Sequence, residues 1–397
     1  MAAKLRVAIV GGGLGGLTTA LALQDSGHEV RVYEQANAFR EIGAGVTLHP
    51  NATRLLVKLG LASALAEIGS PTAGVRLMTA SGVPIETGAP RPGAPLSEAG
   101  QGYNVHRAEF LEVLVKTLPS SSFRLGHRCS DVAQDGNEVT LTFEDGQQAK
   151  HDLVLGADGI RSVIRQRLGL EAPATSEGVM AYRGMVSIDK LPWAKGAQGL
   201  YLWMGAGRSF LCYPVSAGAM MNVVAFVPTD RDSAESWSAK GELAALATEY
   251  RGWDERVGQT IASLSETFVW GIYDRPPLPY WTVGRVALLG DAAHPMVPHL
   301  GQGAGQAIED AYTLGVLLTG ASASDVPARL VAYEHLRRPR TSMIQGVARN
   351  AGKFYRTSFE DAQQRAAAMG SWMKDVRGIL EHDAAAVVAA TAPRVDP

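Results

Sequence analysis

The stretch LRVAIVGGGLGGLTTALALQDSGHEVRVYEQ, residues 5–35, decides the fold of this chain. The run RVAIV is β-branched and continuously apolar, which is typical of a strand buried on both faces of a parallel sheet. LTTALALQDSG has the apolar spacing of a helix and stops at Gly27, and EVRVYE then predicts a second strand. Strand, tight turn, helix and strand in this order predict an α/β fold of the Rossmann type.

Three glycines between the first strand and the helix, Gly11, Gly13 and Gly16, have the G-x-G-x-x-G spacing. We expect Gly11 to permit the turn, Gly13 to leave space for a pyrophosphate, and Gly16 to let the helix approach the strand. The N–H groups of the helix N-terminus then face the phosphates. Glu34 ends the second strand, where a carboxylate can accept hydrogen bonds from ribose hydroxyls. A glycine-rich turn in a non-binding protein leaves Glu34 unexplained, so the motif predicts dinucleotide binding.

The composition of the 397 residues limits the class of protein. A hydrophobic fraction of 46% allows a large core, and the length predicts two lobes or one interrupted domain. A net charge of −2 gives no electrostatic basis for nucleic-acid binding. Two separated cysteines form neither a disulfide framework nor a metal cluster. Because the sequence shows no signal-peptide or membrane-spanning pattern, we expect a cytoplasmic protein that is not bound to a membrane. We also expect no metal site, and a monomer or homodimer.

Four motifs, in order along the chain, give a resemblance to a known family. After the glycine motif come NVHRAEFLEVLVKTLP, DLVLGADGIRSVIR and GDAAHPMVPHLGQG. From residue 4 to about residue 345 the chain resembles the class A flavin monooxygenases, the single-component FAD-dependent aromatic hydroxylases of the para-hydroxybenzoate hydroxylase superfamily. Within that family GVTLHPNATRLLVKLGL, YRGMV, PHLGQGAGQAIEDAY and YEHLRRPR are most similar to the salicylate hydroxylases.

The resemblance implies a non-covalently bound FAD and residues that hold it. REIGAGVTLHPNATRLLVKLGL continues as a Gly-rich loop and a helix, unlike the next βα unit of an NAD domain, which favours FAD. Arg107 stands where the family places a basic residue against FAD. Asp158 belongs to the D-G motif that serves FAD and the pyridine nucleotide, and Asp291 takes the role of the aspartate that binds the ribityl chain.

The loop GDAAHPMVPHLGQG is then expected to hold the isoalloxazine ring. Gly301, Gln302 and Gly303 start the next helix, so their N–H groups can face N1 and O2 of the flavin. Negative charge develops there on reduction, and a helix N-terminus stabilises it. Pro295 and Pro298 are expected to keep the loop stiff against the ring.

In this family the reaction is hydroxylation of an aromatic ring. NADH or NADPH reduces FAD, reduced FAD takes up O₂ to form a C4a-hydroperoxide, and an activated ring carbon attacks its distal oxygen. A phenolate is a stronger nucleophile than a phenol, so a base beside the ring hydroxyl is useful. The sequence has no second G-x-G-x-x-G unit, which fits transient NAD(P)H binding without a separate Rossmann domain.

His299 is the first candidate for that base, because it lies beside the Gly301 turn and a histidine accepts a proton near neutral pH. Tyr213 stands where relatives often place a substrate-facing aromatic residue. The alternatives are a histidine that braces the loop and a core tyrosine on a strand. We expect His294 to be such a brace. The weaker candidates for the site are, in chain order, His49, Arg183, Arg208 and Met221.

The middle of the chain changes to short β-rich runs, VMAYRGMVSI, GLYLWMG, SFLCYPV and MMNVVAFV, which predict an antiparallel sheet. We expect a discontinuous FAD-binding domain at 1–72, 101–175 and 276–345, a β-sheet substrate domain at 73–100 and 176–275, and a helical segment at 346–397. A helix pattern is interrupted near Pro339, and its arginines are interpreted as solvated or bracing. The tail EHDAAAVVAATAPRVDP is expected to be a frayed helix and a loose end.

The resemblance implies a small phenolic substrate, similar to salicylate, together with O₂. One departure counts against a substrate carboxylate: RSFLCYPVSAGAMMNVV supplies only Arg208, where relatives acting on aromatic acids often carry basic residues. Other hydroxybenzoates, hydroxynicotinate and fused N-heteroaromatics therefore stay open. A flavin halogenase of related fold needs a W-x-W-x-I-P stretch, which the sequence lacks. A non-oxygenating flavoreductase and a non-catalytic FAD-binding module are the remaining alternatives.

Overall fold

The computed structural model describes residues 4–39, 44–72, 74–85, 100–171, 173–230, 239–357 and 362–391. The strands are, in chain order, β1 (Arg6–Val10), β2 (Glu29–Glu34), β3 (Gly45–Leu48), β4 (Ser70–Pro71), β5 (Val75–Thr79), β6 (Tyr103–His106), β7 (Phe123–Leu125), β8 (Cys129–Gln134), β9 (Val139–Phe143), β10 (Gln148–His151), β11 (Leu153–Gly156), β12 (Thr175–Ser187), β13 (Leu200–Gly205), β14 (Arg208–Val215), β15 (Met220–Pro228), β16 (Ala239–Lys240), β17 (Phe268–Asp274), β18 (Thr282–Val283) and β19 (Val286–Leu288). The helices are α1 (Leu14–Ala22), α2 (Pro50–Lys58), α3 (Ala62–Ile68), α4 (Arg107–Thr117), α5 (Val163–Arg167), α6 (Leu243–Glu249), α7 (Glu255–Ala262), α8 (Gly303–Leu318), α9 (Val326–Tyr355), α10 (Ala362–Glu381) and α11 (Ala384–Thr391).

The N-terminal stretch forms the centre of a six-stranded sheet in the order β18-β19-β11-β1-β2-β7. Strand β1 pairs in parallel with β2 on one side and with β11 on the other, and β11 pairs in parallel with β19. Strands β1 and β11 are buried nearly throughout, which explains their continuous apolar runs. Two three-stranded sheets, β10-β9-β8 and β3-β6-β4, complete this lobe.

The second lobe contains a seven-stranded sheet in the order β16-β17-β12-β15-β14-β13-β5. Its pairs are antiparallel except for β5 with β13. The predicted fold class, a Rossmann-type α/β lobe with an antiparallel sheet and a helical C-terminus, is confirmed. The parallel pairing of β5 with β13 was not predicted. The two strands are more than a hundred residues apart in sequence, and no local pattern indicates that they pair.

The seven-stranded sheet has two faces, since side chains alternate along each strand. We call the inner face the one that packs against the Val297–Leu300 loop and α9. The outer face is covered by α6 and α7. The inner face is formed by side chains that include Leu202, Leu211, Val224, Phe226 and Trp270. The outer face is formed by side chains that include Tyr182, Trp203, Phe210, Met221 and Val223.

Helix α9 runs without a break past Pro339, so the predicted interruption there is wrong. Proline removes a helical hydrogen bond and usually kinks or ends a helix. Here Arg337 and Arg340, on both sides of the proline, pair with Glu309 of α8, so tertiary contacts outweigh the local preference. The arginines brace the lobe, as predicted. The predicted domain boundary after residue 345 falls inside this helix.

The C-terminal tail is more ordered than expected. Ala384, Ala385 and Val388 of α11 are buried, and α11 packs against α8, so this helix belongs to the core; residues 392–397 lie outside the described part. The two cysteines, Cys129 and Cys212, are free and buried. Among the described residues, no helix combines the length and the apolar character needed to cross a membrane.

Candidate active site

The glycine turn between β1 and α1 has the geometry that its spacing predicts. Gly11 has a φ of +109°, and a Cβ placed on it lies 2.3 Å from the carbonyl oxygen of Ala157. A Cβ on Gly16 lies 2.0 Å from the Gly11 carbonyl oxygen, so the helix packs directly on the turn. A Cβ on Gly13 meets no atom within 4 Å. The space in front of α1 is therefore open, as a pyrophosphate requires.

Glu34, at the end of β2, is hydrogen-bonded to this turn. Its Oε2 accepts the N–H of Gly12 at 2.7 Å, and its Oε1 accepts the N–H of Ala36 at 2.8 Å. The carboxylate is partly exposed and is held at the mouth of the glycine turn. This position suits the adenosine ribose, and that contact stays a prediction.

The carboxylate of Asp158 is occupied within its own loop. Oδ1 accepts the hydroxyl of Ser162 at 2.5 Å, and Oδ2 accepts the N–H groups of Val163 at 2.7 Å and Ile164 at 3.1 Å. Burial raises the pKa of Asp158, and these hydrogen bonds act in the opposite direction. The aspartate therefore caps α5 and shapes the D-G loop, and a direct contact of its carboxylate with FAD stays a prediction.

Arg165 links the D-G loop to the turn that carries Asp291. Its guanidinium donates to the carbonyl oxygens of Ile160 at 2.6 Å and Ala292 at 3.2 Å. The side chain is buried. Sequence reasoning missed this residue, because nothing in DLVLGADGIRSVIR distinguishes it from the neighbouring exposed arginines Arg161 and Arg167.

The turn Gly290–Ala292 follows β19 and is held by Asp310 of α8. Oδ2 of Asp310 accepts the N–H of Gly290 at 2.9 Å and lies 2.5 Å from Nε2 of His294, and Oδ1 accepts Nε of Arg337 at 2.8 Å. Burial raises the pKa of Asp310, but its contacts with His294 and Arg337 outweigh burial and lower the pKa to about 2. His294 braces the loop, as predicted.

Asp291 itself is exposed on this turn. Its Oδ1 lies 3.9 Å from a Cβ placed on Gly303, so the carboxylate is beside the N-terminus of α8. Within the described part of the chain, the structure gives this carboxylate no hydrogen-bond donor. An exposed acceptor beside a helix N-terminus fits the ribityl hydroxyls of FAD.

The residues before α8 differ partly from the expectation. Gly301 has a φ of +60° and donates its N–H to the carbonyl of Pro298 at 2.9 Å, which closes the turn Pro298–Leu300. This N–H is engaged in the turn, contrary to the prediction that it faces the flavin. Gln302 is the N-cap and Gly303 the first residue of α8, so their N–H groups have no acceptor inside the helix. They remain the predicted donors to N1 and O2.

A buried polar network fixes the start of α8. Glu309 accepts the amide of Asn51 at 2.7 Å and pairs with Arg337 and Arg340, while the same amide donates to the side chain of Gln302 at 3.1 Å. Burial raises the pKa of Glu309, but the two arginines and the Asn51 hydrogen bond lower it to about 2. The network ties α2, α8 and α9 together. Two adjacent carboxylates, Glu309 and Asp310, within a mostly apolar helix were the sequence signal that could have indicated it.

His49, a weaker candidate, is the N-cap of α2 and binds the turn Pro298–Leu300. Its Nε2 lies 3.1 Å from the carbonyl oxygen of Leu300. Burial lowers the pKa of His49 to about 4, so the ring is neutral and its N–H donates to that carbonyl. This contact makes His49 a brace of the Pro298–Leu300 turn.

His299 lies buried between the inner face and α9. Its ring centroid is 4.9 Å from that of Phe226, and a Cβ on Gly352 would lie 2.3 Å from its Cδ2. Its Nε2 is 3.0 Å from Oε2 of Glu177 and 3.3 Å from the guanidinium of Arg356. Burial lowers the pKa of His299, while Glu177 raises it. The neutral imidazole, which can accept a proton, therefore prevails near neutral pH.

Tyr213 lies on the inner face opposite Asn222 of β15. A Cβ on Gly45 would lie 2.6 Å from Cε2 of Tyr213, so the ring packs on β3, and Asn222 accepts the N–H of Gly45 at 2.7 Å. Burial raises the pKa of Tyr213 to about 12, so its hydroxyl is a neutral hydrogen-bonding group and not a base at neutral pH. Asn222 was not predicted.

Comparison with known proteins now identifies the family. The family described as "FAD binding domain" matches residues 4–347. The chain is 37% identical over 358 residues to the 3-amino-4-hydroxybenzoate 2-monooxygenase PtnB3 of Streptomyces platensis, which covers 87% of each chain. It is 36% identical over 378 residues to a salicylate hydroxylase of Pseudomonas putida, which covers 88% of this chain and 86% of that one. The chain belongs to the FAD-dependent aromatic monooxygenases.

A solved structure agrees with this assignment. A salicylate hydroxylase substrate complex matches this monooxygenase with a TM-score of 0.83 at 30% identity, over 99% of each chain. The predicted family, the FAD cofactor and the NAD(P)H co-substrate are confirmed, and the halogenase, flavoreductase and non-catalytic alternatives are set aside. The open space at Gly13, the carboxylate of Glu34 and the exposed carboxylate of Asp291 fit FAD in this chain.

The other weaker candidates lie on different faces of the monooxygenase. The guanidinium of Arg183 lies over the ring of Trp270 on the inner face, 4.7 Å from its centroid. Arg208 is ion-paired at 2.7 Å with Glu249 of α6, and the side chain of Met221 belongs to the outer face. Both lie away from the inner face, so their predicted place in the site is wrong.

Arg107 is the first residue of α4. Its N–H donates to the carbonyl of Ala44 at 2.8 Å, immediately before β3. Arg107 therefore lies at the junction of β6 and α4, beside Ala44, the residue before β3. Residues 40–43 lie outside the described part. Its contact with FAD stays a prediction.

Proposed function

We propose that this monooxygenase hydroxylates a phenolic aromatic acid of the hydroxybenzoate type, with His299 as the base for the ring hydroxyl. The observation that carries the proposal is the position of His299. It lies in the turn that precedes the N-terminus of α8 and packs against Phe226 of the inner face. A substrate between that turn and the sheet is within reach of both elements. Hydroxynicotinate and fused N-heteroaromatics are the alternative substrates.

The residues of this chain bind and orient the cofactor, and FAD when bound supplies the redox and oxygen chemistry. The glycine turn and Glu34 hold the adenosine end. Asp291 accepts hydrogen bonds from the ribityl chain. The N–H groups of Gln302 and Gly303 stabilise the negative charge of the reduced ring, because they belong to a helix N-terminus.

Arg183 is the proposed partner of the substrate carboxylate. The sequence offered only Arg208 near Tyr213, and Arg208 pairs with Glu249 instead. Arg183 comes from β12, stacks on Trp270 of the inner face, and its positive charge acts on the hydroxyl of Tyr213. This supports a carboxylate on the substrate, as in the substrates that the names of the relatives give. Tyr213, with its hydroxyl neutral, orients the substrate.

We further propose the division into a discontinuous FAD-binding domain, a substrate domain and a C-terminal helical segment. Strands of the seven-stranded sheet come from residues 75–79 and 175–274, which supports that division. Helix α9 extends across the expected limit at residue 345, so we place the start of the C-terminal segment after Tyr355. A cytoplasmic location and a monomeric or homodimeric state complete the proposal.

The test of the base is His299→Ala. FAD should stay bound, and substrate should still stimulate flavin reduction. Hydroxylation should fall, and more reducing equivalents should leave as hydrogen peroxide, since a positioned base contributes about 10²–10⁴-fold. Raising the pH should restore part of the product, because solvent then supplies the phenolate. Unchanged product per NAD(P)H consumed would reduce His299 to a loop brace.

A further inference from the structure

Two charged side chains, those of Glu177 and Arg356, meet at one edge of the His299 ring. Oε2 of Glu177, at the start of β12, lies 3.0 Å from Nε2 of His299. Arg356, which follows α9, donates to the same carboxylate oxygen at 3.4 Å, and its other terminal nitrogen lies 3.3 Å from Nε2. All three residues are largely buried. Glu177 is 122 residues from His299 in sequence, and no motif includes it.

These contacts decide between two tautomers of His299. A carboxylate only accepts hydrogen bonds and a guanidinium only donates them, so Nε2 cannot satisfy both. The contact with Glu177 is the shorter one, and Arg356 already has the same carboxylate as an acceptor. The consistent arrangement has a proton on Nε2, donated to Glu177, and a lone pair on Nδ1.

Nδ1 lies on the other edge of the ring from α9. A Cβ on Gly352 would lie 2.3 Å from Cδ2 and 2.4 Å from Nε2 of His299, so the helix backbone covers the Cδ2–Nε2 edge. Nδ1 is buried and, within the described residues, has no hydrogen-bond partner. A buried acceptor without a donor is costly, which points to a ligand group that supplies the missing proton.

We propose that Glu177 is a positioning residue of the hydroxylation, which holds Nε2–H of His299 so that Nδ1 takes the proton of the substrate's ring hydroxyl. The inference rests on the proposed function of His299. In this step the O–H bond of the substrate breaks, the proton moves to Nδ1, and the electron pair stays on the substrate oxygen. The imidazolium so formed keeps its Nε2–H on the Glu177 carboxylate, which stabilises the new positive charge.

Glu177 and Arg356 act on this base with opposite signs. Among the described residues packed on the ring, these two carry the charges, whereas Phe226 of β15 and Gly352 of α9 carry none. Glu177 raises the pKa of His299 and Arg356 lowers it. We consider product formed per NAD(P)H consumed as a function of pH, and call its fall at low pH the acid limb. Glu177→Gln should therefore move the acid limb to lower pH, and Arg356→Gln should move it to higher pH.

The experiment compares wild type, Glu177→Gln and Arg356→Gln as FAD-loaded enzymes, with Glu171→Gln on the exposed surface as the matched control. Product formed per NAD(P)H consumed is measured from about pH 6 to about pH 9. We expect hydroxylation to fall about tenfold or more in Glu177→Gln, within the 10²–10⁴-fold ceiling of a positioned base. The acid limbs should shift in opposite directions, and Glu177→Asp should restore part of the loss. The control should match wild type.

A second measurement needs no turnover. Nitrogen NMR of histidine-labelled enzyme, with His299 assigned from its loss in His299→Ala, reports which ring nitrogen carries the proton. We expect the Nε2–H tautomer in wild type and a mixture in Glu177→Gln. An Nδ1–H tautomer in wild type would overturn the inference, and so would a Glu177→Gln enzyme with wild-type tautomer and coupling. If His299→Ala stays coupled, the proposed base itself fails, which is a different result.

Discussion

The carboxylate of Asp310 accepts the N–H of Gly290 at 2.9 Å, and this contact fixes the turn that carries Asp291 to helix α8. The same carboxylate binds His294 and Arg337, and all of these side chains are buried. Asp291, the proposed acceptor for the ribityl chain, is therefore positioned by a buried ionic group. We therefore expect folding stability and flavin affinity to depend on the same residue.

Asp310→Ala should destabilise the protein by about 3–5 kcal/mol, because the N–H of Gly290, the ring of His294 and Nε of Arg337 lose their buried acceptor, although Arg337 keeps its ion pair with Glu309. FAD retention should fall as well, since the turn loses its anchor. Urea unfolding and flavin titration measure the two effects. Asp189→Ala, on the surface, should change stability by no more than about 0.5 kcal/mol. Equal stability of the two variants would show that the buried network contributes little.

Gly11 and Gly13 should respond to substitution in different ways. Gly11→Ala places a Cβ 2.3 Å from a carbonyl oxygen at positive φ, so the FAD-free protein should lose about 1–3 kcal/mol of stability. Gly13→Val points into open space, so folding should be unchanged while FAD affinity falls at least about tenfold. Thermal unfolding and flavin titration separate the two. If Gly13→Val binds FAD normally, the pyrophosphate does not lie at this turn.

Asp291→Ala should weaken FAD binding roughly ten- to a hundredfold, because a hydrogen bond to a charged acceptor is worth about 1.5–3 kcal/mol. The stability of the FAD-free protein should not change, since the carboxylate is exposed. Quenching of flavin fluorescence gives the dissociation constant. Asp291→Asn, which keeps an acceptor without the charge, should be intermediate. Wild-type affinity in Asp291→Ala would contradict the ribityl assignment.

Local motifs in the sequence predicted the cofactor lobe well. Gly11, Gly13 and Glu34 lie in one strand–helix–strand unit, so their spacing alone fixes their geometry. The second lobe was harder to predict. Side chains alternate between the two faces of a strand, and the sequence does not show which set faces the site. Met221 and Asn222 are neighbours in sequence, yet the side chain of Met221 belongs to the outer face and that of Asn222 binds Gly45 on the inner face. One residue of register decides which of them approaches the site.

Partners distant in sequence could not be predicted at all. A bracing role for the arginines near Pro339 was among the predictions, but the sequence did not show that Glu309 and Asp310 of α8 would be the buried partners of Arg337. The Glu177–His299 contact depends on where β12 enters the sheet relative to the Pro298–Leu300 turn. Such contacts follow from packing between elements, which single-sequence patterns do not contain.

Stability should depend on pH through His49. Its pKa in the folded protein is about 4, below the 6.5 of an exposed histidine, because burial disfavours the charged ring more than the hydrogen bond to the Leu300 carbonyl favours it. The unfolded chain therefore takes up a proton first, and stability present above pH 6.5 is lost as the pH falls towards 4. Between pH 7.5 and pH 5, FAD-free wild type should lose up to about 2 kcal/mol more than His49→Gln in urea unfolding. Parallel losses in both proteins would contradict the assigned pKa.

The central claim is that this chain, with FAD, inserts one atom of O₂ into a phenolic aromatic acid. The most direct test is a panel of salicylate, aminohydroxybenzoates, hydroxynicotinate and phenols without a carboxylate, under isotopically labelled O₂. NADH and NADPH oxidation is followed, and products are identified by mass. At least one phenolic acid should stimulate NAD(P)H oxidation and yield a product that carries one labelled oxygen. The phenols without a carboxylate should yield clearly less hydroxylated product. Stimulated oxidation that forms only hydrogen peroxide with every compound, or no stimulation at all, would contradict the account.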